Sequence, residues 1–325
     1  MKPAIWIGGL LAVASVVSIV VGEVDLTAAQ WREALGAPGS SPWLVVWEVR
    51  APRTVCAALV GGALGLAGAV MQGLLRNPLA DPGVLGVSAV SATAAAFAIV
   101  LGLALIPGVV EGAALVGALG AGAALIAAAS RLRSPEALIL FGVALSSFAG
   151  ALTALIFNLS PTPIATQEVM NWLLGGVQNR SWWDVVWVGA PLAGAALLAA
   201  RAAPGLRMLT LGEETAQTSG LPMRRLRLAA LAATALAAGG ATAAAGVIGF
   251  VGLAAPHLVR TLVRGDPGRV LLPSALAGAL ILTLADILAR RVPTEQELRL
   301  GVITALIGAP LFALIAWRAA REWRL

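Results

Sequence analysis

Apolar residues run along this chain in long blocks separated by short polar stretches. The blocks cover 1–22, 54–75, 84–106, 112–130, 137–159, 185–203, 228–263, 270–289 and 300–317. At about 1.5 Å per residue most of them match the roughly 30 Å hydrocarbon core of a bilayer, so each predicts a membrane-spanning helix. A transmembrane barrel would instead alternate polar and apolar residues in segments of about ten, and no such alternation occurs. One block is too long: as a single helix, 228–263 would extend about 54 Å. Gly239, Gly240 and Gly246 offer break points within it. Divided there, the chain has ten spans. The stretch from Glu23 to Arg53 carries Trp31, Trp43 and Trp47 and reads as an interfacial connector. The first block has one lysine before it and no small-x-small cleavage site after it, which predicts a retained span.

Charge fixes the direction of the spans. Arg224, Arg225 and Arg227 precede the long block, and Arg260, Arg264 and Arg269 end or follow it. Both clusters reach the cytoplasm only if two spans lie between them. With both termini inside, Arg32, Arg50, Arg53, Arg180, Arg290, Arg291 and Arg299 face out, while the other Lys and Arg residues of the 22, Arg133 and Arg324 among them, face in. The prediction is an all-α, polytopic membrane protein forming one domain over residues 1–325. Composition agrees: 59% of residues are hydrophobic and 12% charged, against about 25% charged in a soluble domain. The net charge of +6 reads as cytoplasmic loops, not as a nucleic-acid surface. Gly61, Gly62, Gly65 and Gly68 in the second span predict close helix packing.

Several chemistries are excluded. A Walker A loop needs a lysine behind a glycine-rich turn, and Lys2, the only lysine, has none. His257 and Cys56 are the only His and Cys, so no His/Cys metal cluster and no intrachain disulfide can form. An ion-coupled carrier keeps ionisable groups within its spans, yet of 16 acids only Asp286 lies well inside an apolar block. Arg290, one helical turn on, is its expected partner. Energy for transport must come from elsewhere, or transport is passive. An ion-coupled secondary transporter or facilitator and a membrane scaffold are the alternative readings.

Two polar stretches stand out. Leu211 to Arg227, LGEETAQTSGLPMRRLR, is a charged island. Glu213 and Glu214 near its start and Ser219-Gly220 at its end predict a two-turn helix, with acids at the positive end of the dipole and glycine at the stop. Such a helix is marginal alone in water, so something should hold it. Arg76-Asn77-Pro78-Leu79-Ala80-Asp81-Pro82-Gly83 predicts a helix-stopping turn closed by Asn and Asp side chains.

With these stretches, the chain resembles the FecCD-type permeases, the membrane subunits of ABC importers for iron-siderophore chelates, haem and cobalamin. The resemblance rests on RNPLADPGVLGVS (76–88), LGEETAQTSGLP (211–222), GVIGFVGLAAPHLVR (246–260), RVLLPSALAGALILTLADILAR (269–290) and GVITALIGAPLF (301–312), in family order. It implies ten helices per subunit in a bacterial cytoplasmic (inner) membrane. It also implies a second permease subunit, with a homodimer permitted, two ATPase subunits that bind ATP and Mg, and an extracytoplasmic substrate-binding protein. No cofactor, metal or catalytic residue is expected in this chain. The island at 212–220 looks like the family's coupling helix, which assigns ATPase coupling to Gly212, Glu213, Glu214, Ala216, Gly220 and Leu221. Asn77 and Leu79, with Ser134, Pro135 and Glu136, match a cytoplasmic gate. Arg50, Arg53 and Arg290 match docking residues for the binding protein, and Ser146, Ser147 and Asn158 would line the translocation path. Arg299, where the family usually has proline, implies an altered entry to the last span and an added docking charge, and Ala89-Val90 replaces a glycine-containing pair.

Overall fold

A computed structural model describes residues 2–22, 24–132, 134–292 and 297–322; Arg133 and Arg324, placed on the cytoplasmic side above, lie outside the described residues. Among the described residues every regular element is helical. In chain order these are α1 (Lys2–Val20), α2 (Ala28–Gly36), α3 (Ser41–Leu44), α4 (Ala51–Leu75), α5 (Val87–Val100), α6 (Val109–Arg131) and α7 (Pro135–Asn158). Then come α8 (Pro163–Leu173), α9 (Trp182–Met208), α10 (Glu213–Thr218), α11 (Met223–Ala245), α12 (Val251–Arg260), α13 (Leu271–Ala289) and α14 (Leu300–Glu322). A π turn over Val45–Arg50 joins α3 to α4, so Ser41–Leu75 is one rod. Among the described residues that rod and α1, α6, α7, α9, α11 and α13 make seven helices long and apolar enough to cross a membrane. The other expected spans correspond to shorter apolar helices at α5, α12 and α14.

The fold is assembled around α4, which is buried along most of its length and carries α13, α11, α12 and α9 against it. Its glycines make this possible. A Cβ added at Gly61 would lie 2.2 Å from the Gly278 carbonyl oxygen of α13, one at Gly65 2.2 Å from that of Ser274, and one at Gly68 1.7 Å from that of Gly252 in α12. With lipid tails as apolar as the side chains, such close backbone approach supplies the van der Waals contact that holds spans together.

The long block breaks at one of the three glycines expected to break it. Gly246 adopts φ +70° and ends α11, and a Cβ there would meet the Trp172 carbonyl oxygen at 2.1 Å. Gly239 and Gly240, expected as alternative break points, stay helical. They are packing positions, facing Ala118 and Pro191 at distances no side chain fits. Beyond the break α12 is a half-length helix, rising only about 15 Å. The irregular backbone before it is tolerated because protein, not lipid, surrounds it: Ala243, Ala244 and Ala245 are fully buried, and Gly176 N–H donates to the Ala245 carbonyl at 2.7 Å.

Gly68→Ala should push α12 off α4 and cost about 1–3 kcal/mol, read as a lower midpoint of thermal unmasking of the buried Cys56 thiol in detergent. Gly120→Ala, a helical position with nothing within 4 Å, should leave the midpoint unchanged or raise it.

Candidate functional site

The polar island forms the helix its sequence predicts. Gly212 (φ +97°) turns the chain into α10, Glu213 and Glu214 occupy its first turn, and Gly220 (φ +87°) ends it. The Leu221 N–H reaches back to the Ala216 carbonyl at 3.0 Å, satisfying an end-of-helix acceptor. The helix and its flanks have two faces, with Ala216, Leu221 and Glu213 of the residues assigned to coupling on one and Glu214 and Gly220 exposed on the other. Ala216 is fully buried, Leu221 lies over Gly205 of α9, and the Glu213 carboxylate accepts from Arg227 of α11 at 2.7 Å. Arg227 also donates to the Ala129 carbonyl, in the last turn of α6, at 3.0 Å. Glu214, Thr215, Gln217, Thr218 and Ser219 are exposed and polar. What holds this short helix is therefore an ion pair to α11 and, through the same arginine, to α6.

The root of α10 meets one half of the proposed gate. Ser134, Pro135, Glu213, Arg227, Met223 and the end of α4 at Leu74 and Leu75 line one small crevice. Ser134 caps α7 by accepting from Ala137 N–H at 3.2 Å, with Pro135 in the first turn and Glu136 exposed beside it. The other half follows α4 directly. Asn77 accepts from Leu79 N–H at 2.9 Å and Asp81 from Gly83 N–H at 2.7 Å, the side-chain turns expected there. Burial pushes the Asp81 carboxyl up to about 6, against the opposing pull of the Gly83 N–H. This loop then runs along α7: Ser146 donates to the Val84 carbonyl at 3.0 Å, and Leu85 packs where Gly142 leaves room. Ser147 and Asn158 are exposed on α7, a helix that the rest of the chain leaves largely uncovered. Ser146 is thus tied to the gate loop, while Ser147 and Asn158 face outward from the protomer.

At the end of the bundle opposite α10 the three arginines matched to docking are turned inward. Arg50, 5% exposed, donates to the carbonyls of Ile19, at 3.1 Å, Val20, at 2.8 Å, and Val24. Arg290 donates to the Ser18 and Val21 carbonyls, at 2.9 and 3.0 Å, and pairs with Asp286. Arg53 grips Asp286 through Nε, at 3.0 Å, and Nη2, at 2.7 Å, and also pairs with Glu297. Within the protomer all three guanidiniums are thus held by its own carbonyls and carboxylates. The reason is electrostatic: the C-terminal end of α1 has orphan carbonyls that attract cations, and Asp286, fully buried, needs compensation. Arg299, expected as an added docking charge, is also engaged, donating to Asn171 at 2.9 Å and to Gln178. Arg32 and Arg291 are the exposed arginines on this side. The Asp286–Arg290 pair was legible from the i,i+4 spacing. The second partner, Arg53, was not, because 233 residues separate it from Asp286.

Asp286→Asn should leave Arg53 and Arg290 sharing too little negative charge and destabilise the protein by about 3–5 kcal/mol, seen as a large fall in the same thermal midpoint. Arg291→Gln, at an exposed position, should leave that midpoint unchanged.

Comparison with known proteins agrees with this architecture. The FecCD transport family matches residues 10–318. The vitamin B12 import system permease proteins BtuC of Salmonella schwarzengrund and Salmonella typhimurium are 39% identical over 314 residues, covering 96% of this chain and 94% of theirs. A solved structure described as an inward-facing conformation of a metal-chelate type ABC transporter superposes with TM-score 0.86 at 30% identity, covering 98% of this chain and 99% of that one. PsaBC from Streptococcus pneumoniae shares the fold at TM-score 0.54 and 18% identity. This chain belongs to the FecCD transport family.

Proposed function

We propose that this chain is the permease subunit of an ATP-driven importer of a metal chelate. It would work in a bacterial cytoplasmic membrane as a dimer, with two ATPase subunits that bind ATP and Mg inside and a substrate-binding protein outside. Cobalamin stands first among the chelates, ahead of haem and iron-siderophores, because the relatives matching nearly the whole chain are named for vitamin B12 import. The ten-span, both-termini-inside topology belongs to this reading, supported by the seven long and three shorter apolar helices.

The observation that carries the reading is the crevice where the root of α10 meets the start of α7 and the end of α4. The exposed polar face of α10 would sit in the ATPase subunit. Its buried face, fixed by Ala216 and the Glu213–Arg227 pair, would transmit displacement to the corner between α6 and α7, and so to Ser134, Pro135 and Glu136. Asn77 and Leu79 would close the passage from the other side, and α7, with Ser147 and Asn158, would face the path. Any such switch needs contacts that differ between states, and nucleotide-driven movement of the ATPase partner supplies them.

In proteoliposomes holding the complete transporter, radiolabelled cobalamin should accumulate only with ATP and the binding protein. Accumulation driven by an ion gradient alone would contradict the reading. Glu213→Gln should lower ATP-driven uptake about tenfold or more while the assembled complex still hydrolyses ATP. Uptake at the unmodified rate would remove α10 from the coupling path.

Docking at the outer face is assigned to the Arg50, Arg53 and Arg290 cluster through its one replaceable partner. Glu297 lies at the rim, its side chain 15% exposed, whereas that of Asp286 is 1% exposed. A carboxylate of the binding protein would displace Glu297 from Arg53. Glu297→Gln should then tighten binding-protein affinity severalfold, an effect that weakens with salt; unchanged or weaker affinity would argue against the exchange.

A further inference from the structure

At the cytoplasmic end of the molecule, α9 and α13 each pack on α4 and leave a cleft between them. Its floor is Leu66 of α4, its α9 wall is Ala196, Ala199, Ala200 and Ala203, and the start of α1 borders it at Pro3 and Ala4. The volume is about 1110 Å³, and the lining is mostly apolar. Nothing in the transport reading uses it.

The mouth of this cleft is basic. Arg264 and Arg269 both line it and both are exposed. Arg264 holds a left-handed turn with Gly265, φ +56° and +72°, that stops the helical run after α12 and sets the arginine at the rim. Among the described residues its guanidinium has no protein partner. Arg269 shares the Asp266 carboxylate with Arg207, at 3.3 and 3.1 Å. Burial opposes ionisation of Asp266, but the N–H groups of Arg269 and Gly268 and the Arg207 guanidinium outweigh it and hold the carboxyl below the usual range. Asp266 thus serves two guanidiniums and Arg264 adds a third with no partner among the described residues, leaving positive charge uncompensated over an apolar slot. Basic pockets between spans on the cytoplasmic side are the arrangement that selects acidic lipid headgroups.

The geometry points to a binding site for an anionic phospholipid, with its phosphate at Arg264 and Arg269 and an acyl chain in the cleft between α9 and α13. An acyl chain fills a slot floored by leucine and walled by alanine, and a negative headgroup neutralises the rim. A helix from a second copy would satisfy the apolar walls but leave Arg264 without a counter-charge and Arg269 with only its share of Asp266. The site depends on the chain crossing a membrane and not on what is transported.

The test uses the full chain in nanodiscs containing equal amounts of phosphatidylglycerol and phosphatidylcholine, with a photoactivatable group on the acyl chains of one or the other. Labelling of residues 192–203 and 271–275 is read by mass spectrometry. Phosphatidylglycerol should label these segments roughly tenfold more than phosphatidylcholine. The double variant Arg264→Gln, Arg269→Gln, at exposed positions, should bring its labelling down roughly tenfold. Ala200→Trp, also exposed, should block labelling with the arginines intact. Equal labelling by both lipids in the unmodified chain would show bulk lipid only and overturn the proposal. So would labelling indifferent to loss of the arginines, or absent labelling together with copy-to-copy cross-linking through Ala200→Cys.

Discussion

The close approach of carbonyl oxygens to the glycine face of α4 is the constraint on which the remaining geometry depends. Gly61, Gly65 and Gly68 bring α13 and α12 to distances that no side chain permits, and two charged sites are referenced to that seam. Arg53 and Asp286 lie two helical turns, about 12 Å, to the same side of the Gly61–Gly278 contact, so helix packing places guanidinium against carboxylate. Gly68 seats Gly252 and thereby the half-length helix α12, whose end sets Arg264 at the lipid-facing rim. A membrane protein without a strong hydrophobic drive between spans uses backbone proximity to do what a leucine core does in water.

The two ends of the bundle differ in how their charges are used. At the end that holds Asp286 three arginines are absorbed: Arg50 and Arg290 cap the last turn of α1, and Arg53 neutralises Asp286. At the opposite end Arg227 links α10, α11 and α6, whereas Arg264 is left to its surroundings. A charge fixed on all sides makes a rigid joint, and a charge at a rim makes a recognition site. The transport reading relies on the first kind at α10 and on a partial exchange at Arg53.

Local patterns were legible in the sequence. The apolar blocks gave the helices, the Gly212 to Gly220 island gave α10, the Asn and Asp turns of 77–83 formed as drawn, and Arg290 found Asp286. What was not legible required distance in three dimensions. Gly239 and Gly240 look like breaks until Ala118 and Pro191 are seen to fill the space beside them. Arg50, Arg53 and Arg290 look like surface charges until the carbonyl end of α1 and the buried Asp286 are placed beside them. The meeting of α10 with Ser134 and Pro135 joins residues about 80 apart in sequence, and no periodicity in either segment announces it.

The central claim is that the corner formed by α10 and the start of α11, held together by the Glu213–Arg227 pair, moves with the start of α7 as one body. Ser134→Cys and Met223→Cys, both lining the shared crevice, can be bridged by a short bifunctional thiol reagent in a Cys56→Ala background, and uptake measured in the complete transporter. A rigid joint predicts that the bridged protein transports at close to the unbridged rate with ATP. Loss of uptake with ATP hydrolysis intact would show that the two elements must separate, and would contradict the account.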